Sequence, residues 1–75
     1  MTLKEVRMEL QRLKYGMTWD NQIINRTGQV AGVLVQIKRE RIKFINAKTN
    51  NLISSYPAHV ESIAKFLNAF WYADV

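Results

Sequence analysis

The chain has no cysteine, one histidine, one proline and three glycines, and each shortage closes a line of chemistry. Without cysteine there is neither a disulfide framework nor a thiolate zinc site, which suits a reducing compartment such as the cytoplasm. One histidine and six scattered acids show no paired ligand spacing, so no metal and no cofactor is expected. Gly16, Gly28 and Gly32 stand apart, which excludes a Gly-rich phosphate loop. No apolar run approaches the roughly 18 to 20 residues that cross a bilayer, and no basic-then-apolar leader pattern opens the chain. A soluble protein that does not engage a membrane is expected. Repeats, low-complexity stretches and Pro/Gly/Ser linkers are also missing, so residues 1–75 read as a single domain. A chain of this size buries only about 60% of the surface its unfolded state exposes.

Enzymatic chemistry finds little to work with. His59 lies near Ser54 and Ser55 in sequence, but no Gly-rich elbow surrounds the serines and no acid is placed to orient the ring. No catalytic residue is assigned and the chain is read as a non-enzyme.

What is present is charge concentrated in one place. The net charge is +5; residues 26–48 hold six cations and one acid, while the flanking segments contribute +1 and −1. The densest stretch, Lys38-Arg39-Glu40-Arg41-Ile42-Lys43, lies between apolar, β-branched runs. Hydrophobic residues make up 48% of the chain, which excludes wholesale disorder.

Thr2 followed by Glu5 has the spacing of a capping box, so a helix should start there. Leu3, Val6, Leu10, Leu13 and Met17 recur at helical intervals, with Gly16 as the expected stop. From Trp19 onward, Ile23, Ile24, Val30, Val33, Val35, Ile37, Ile42 and Ile45 favour a pleated surface. Thr27-Gly28 and Lys48-Thr49-Asn50-Asn51 carry turn chemistry, so a hairpin reversal is predicted at each. Lys38-Arg39-Glu40 holds no Gly, Asn, Asp or Pro, and a bent or bulged continuation of the strand is predicted rather than a tight turn. Pro57 suits the first position of a last helix, whose stripe is Val60, Ile63, Ala64, Leu67 and Trp71, widened by Phe66 and Phe70.

The fold class is therefore α+β: an N-terminal helix, an antiparallel meander of three to four strands and a C-terminal helix. One alternative fits part of the pattern. Val30, Val33, Leu34 and Ile37 also satisfy helical spacing, which would make residues 18–39 a helix-turn-helix and residues 41–56 its wing. Four β-branched residues and Gly32 within eight positions weigh against it. The helix-strands-helix order superficially resembles that of a double-stranded RNA-binding domain. The likeness covers topology alone, because Lys65 stands without the lysine-rich opening turn of that family's last helix, and no function is carried over.

Two surfaces follow. On an extended strand, Arg39, Arg41 and Lys43 would share one side and Lys38 and Glu40 the other, with Arg26 and Lys48 at turns extending a cationic track about 7 Å per step. Such a track suits a nucleic-acid backbone or an acidic protein surface; charge that only protects a sheet edge is the plainer use. No aromatic but Phe44 lies near it, which argues against readout by base stacking. At the C-terminal end, Phe70, Trp71 and Tyr72 offer an anchor for a protein partner or a homodimer. The expected function is a small binding protein contacting a polyanion, foremost nucleic acid. Its rival is a regulatory or inhibitor protein, of the mobile-element or phage type, that docks on an acidic protein.

Overall fold

A computed structural model describes residues 1–70 of the chain. Helix α1 spans Leu3–Arg12, five strands follow as β1 (Gly16–Met17), β2 (Gln22–Ile24), β3 (Val30–Lys38), β4 (Arg41–Asn46) and β5 (Leu52–Pro57), and helix α2 spans Val60–Phe70. The strands form one antiparallel sheet in the order β1-β2-β3-β4-β5. The fold is α+β, with five strands where three to four are expected; the extra one, β1, is too short for alternation to reveal.

Both ends of α1 are set by local chemistry. The Thr2 hydroxyl accepts from the Glu5 amide while the Glu5 carboxylate accepts from the Thr2 amide at 3.0 Å, closing the capping box the sequence predicts. The helix stops before Gly16, because Lys14 takes the left-handed conformation at φ 71. The Tyr15 amide then donates to Leu10 O at 2.8 Å and the Lys14 amide to Gln11 O at 3.0 Å, the paired bonds of a Schellman stop. Gly16 belongs instead to β1.

Residues 30–38 are strand, so the helix-turn-helix alternative does not hold. β-branched side chains packed on the pleat outweigh a coincidental helical spacing. Two irregularities shape the sheet. Gln22 pairs with Leu34 but Ile24 with Val30, so Ala31, Gly32 and Val33 together face Ile23. Gly32 accommodates this at φ 75, a conformation costly for a residue with a Cβ. A second shift leaves Ile53 as an extra residue in β5, between the pairs Phe44–Ser54 and Ile45–Leu52.

The turn between β3 and β4 contradicts the expected bent strand. Lys38 pairs with Arg41, and Arg39 and Glu40 hold φ of 54 and 62, so two residues reverse the chain. Ile37 pairs with Ile42 and Val35 with Phe44, and that apolar register imposes the tight reversal without turn-forming residues. Pro57 ends β5 rather than opening α2. Its missing N–H is tolerated because β5 is an edge strand, and the Ser62 hydroxyl donates to Pro57 O at 2.6 Å, tying the first turn of α2 to the end of β5.

The core lies between one sheet face and the two helices. Val6 and Leu10 of α1 and Ile63, Phe66 and Leu67 of α2 meet Met17, Ile23, Val33, Val35, Ile42 and Phe44. Phe44 and Phe66 stack face to face at 3.8 Å between ring centroids. The helices also touch each other, so this face is closed and the opposite face of the sheet carries no helix.

Candidate functional site

Strand alternation assigns the uncovered face. Since Val35, Ile42 and Phe44 point into the core, Leu34, Gln36, Lys38, Arg41 and Lys43 point away from it; Ile45 shares their side by alternation but is itself buried, at 9% exposure. Lys38 is directly opposite Arg41, and Gln36 is opposite Lys43. The tight turn therefore brings Lys38 to the same side as Arg41 and Lys43, not to the other side as the extended reading has it. Arg39 stands at the tip of the turn.

The two ends of this face differ in chemistry. Toward the β3–β4 turn it is cationic. Toward the β4–β5 turn it is apolar, where Ile45 pairs with Leu52, which is 57% exposed, and Leu34 neighbours Ile45. Arg41 lies across the sheet, donating from Nε to Ser55 Oγ at 2.9 Å and from Nη2 to Ser55 O at 3.0 Å. This fixes its guanidinium against β5. The turn is tied down as well, because the Ala58 amide donates to Glu40 O at 3.0 Å.

Among the described residues the one ion pair is Arg12 with Glu9 on α1, at 2.6 Å. Its hydrogen bond and charge hold the Glu9 carboxyl below its ordinary range. No carboxylate among the described residues pairs with Lys38, Arg39, Arg41 or Lys43. Like charges set directly opposite each other across strands are destabilising, so the Lys38–Arg41 pair works against the fold rather than for it.

The other expected contacts fall elsewhere. Arg26 and Lys48 lie in the β2–β3 and β4–β5 turns, at the end of the sheet away from Lys38 and about 25 Å along β3. Arg26 is committed locally: its Nε donates to Leu13 O at 3.2 Å and its guanidinium carbon lies 4.9 Å from the centroid of the Tyr15 ring. Phe70 stacks on Phe66 at 5.1 Å and is 41% exposed. Trp71 and Tyr72 lie outside the described residues. His59 borders a groove of about 510 Å³ with Met1, Ile37, Glu40, Pro57 and Ala58. Among the described residues no three metal-ligating side chains come together, and no helix is long and apolar enough to cross a membrane.

One residue escapes the sequence reading. Trp19 is 90% exposed, on the four-residue turn between β1 and β2. The sequence signal that could have found it is its setting among Thr18, Asp20 and Asn21, which are turn formers. Asp20 accepts from the Thr18 hydroxyl and from Gln22 Nε2, and the Thr18 bond chiefly holds its carboxyl below the ordinary value.

Compared with protein-family models, with curated proteins and with solved structures, the chain matches none.

Proposed function

We propose that the protein is a non-enzymatic binding module that contacts a polyanion, foremost the phosphate backbone of nucleic acid, through the cationic end of its uncovered sheet face. One observation carries this reading: Lys38, Arg41 and Lys43 share a face that no helix covers, with Arg39 at its rim and no partner carboxylate among the described residues. A fold that sets like charges opposite each other gives up stability, and an anionic ligand recovers it. Backbone contact of this kind steers and holds a polyanion with little sequence discrimination. The reading includes action in the cytoplasm, where a cysteine-free chain needs no oxidising environment.

The test is binding of labelled DNA and RNA at low and high salt, with Lys38→Glu, Arg41→Glu and Lys43→Glu combined in one variant. Salt-sensitive binding that the variant loses supports the reading; equal binding by both proteins defeats it. A second reading, a regulator or inhibitor docking on an acidic protein surface, draws on the apolar Leu34–Ile45–Leu52 end of the same face and on exposed Phe70. It requires Leu52→Ser or Phe70→Ala to abolish capture of the partner with only modest dependence on salt.

A further inference from the structure

The proposed nucleic-acid reading leaves the most exposed large apolar side chain of the described residues without a role. Trp19 presents an indole to solvent on a turn braced from several sides. The Thr18 amide donates to Gln22 O at 2.8 Å, the Asn21 amide to Thr18 O at 3.0 Å, and the Gln22 amide to Thr18 Oγ1 at 3.0 Å. From α1, Arg7 donates to Met17 O at 2.7 Å and to Thr18 O at 3.3 Å. The backbone under the ring is thus ordered before any ligand arrives, which lowers the entropy cost of binding.

Position matters as much as exposure. The turn abuts the cationic half of the sheet, because the Val35 amide donates to Asn21 O at 2.8 Å and the next residue, Gln36, pairs with Lys43. Two strand spacings and two turn residues separate Trp19 from Lys43, on the order of 15 Å between Cα atoms. Beside the ring, Asp20 is acidic and repels phosphate, whereas a base has no such conflict. Phosphates therefore belong on the lysines and arginines, and a base on the indole.

Resting on the nucleic-acid reading, we infer that the ligand is single-stranded and that Trp19 is a stacking platform for one unpaired base of a strand whose phosphates follow Lys43, Arg41 and Lys38. Stacking on an aromatic ring is sequence-tolerant because every base has a π-face, and a duplex keeps those faces internal. The site therefore discriminates by strandedness rather than by base identity.

The experiment compares labelled oligo(dT) with a duplex of equal length by fluorescence anisotropy, and follows tryptophan emission in the same titration. The wild-type chain is expected to bind the single strand more tightly, with partial quenching of its emission. Trp19→Ala should weaken single-strand binding by about tenfold or more, lose most of that quenching, and reduce the preference over duplex; Trp19→Phe should restore most of the affinity. Unchanged single-strand affinity in Trp19→Ala, with binding still lost in the Lys38/Arg41/Lys43 charge-reversed variant, overturns the stacking role and leaves the backbone reading standing. Absence of binding to either nucleic acid at low salt overturns both.

Discussion

Arg39 and Glu40 occupy the left-handed region at φ 54 and 62, which costs an ordinary L-residue roughly 1–2 kcal/mol. Two-residue hairpin turns of this kind favour Asn-Gly. Replacing Arg39→Asn and Glu40→Gly together should raise the free energy of unfolding by about 1–2 kcal/mol, measured by urea titration, and because one cation and one acid are removed the net charge stays at +5. Nothing in an arginine or a glutamate announces a positive φ, so the reversal is illegible locally, and with it the side to which Lys38 points. Asp20 gives a second test at this scale. Its carboxyl is held below the ordinary value chiefly by the Thr18 hydroxyl, so its contribution is present above the unfolded value near about pH 4 and is lost as pH falls through the lower folded value. Stability measured across that acid range should fall less steeply in Asp20→Asn than in the wild type.

Whole elements were far more legible than single conformations. The apolar faces of α1 and α2 follow from a period of 3.6, which reports on which side is buried, and the capping box from the Thr2–Glu5 spacing; Met17, expected on the α1 seam, instead lies in β1, Val60 of the expected α2 stripe is 45% exposed, and Trp71 lies outside the described residues. Errors fall where the period is absent: β1 has two residues, and α1 stops at a lysine although a glycine stands two positions later. Pro57 is expected at a helix start and instead ends β5, because its fixed φ and lost N–H suit an edge strand equally. The decisive contact between elements is Phe44 of β4 on Phe66 of α2, both rings buried and parallel. Phe44→Ala should cost about 3–5 kcal/mol, a large share of the stability of a small domain. Thermal unfolding would show this as a sharply lowered midpoint or the loss of a cooperative transition.

For the molecule as a whole, the positive character is visible in the sequence, but its usefulness depends on the fold. Six cations in residues 26–48 separate into Arg26 and Lys48 at one end of the sheet and Lys38, Arg39, Arg41 and Lys43 at the other. The candidate site is thus smaller and denser than the track an extended chain suggests. The turn that carries Trp19 is set beside it by the Asn21–Val35 hydrogen bond and the Gln22–Leu34 pairing, which no local pattern announces. If those four side chains each displace a counterion, affinity should fall by roughly 50- to 150-fold between 50 and 200 mM salt. The charge-reversed variant should flatten that slope.

The order of strands in the sheet is the order of strands in the chain, and this has a kinetic consequence. Every strand pairing is a hairpin between sequence neighbours, so four of them can close without waiting for distant segments to meet, and little loop entropy is spent before contacts form. The encounter of α1 with α2 joins the two ends of the described chain and is the one step that must span nearly all of it. The α1–α2 contact is therefore expected to close last, on a sheet that can zip up locally, and stopped-flow refolding should show a rate that is fast for a β-rich chain.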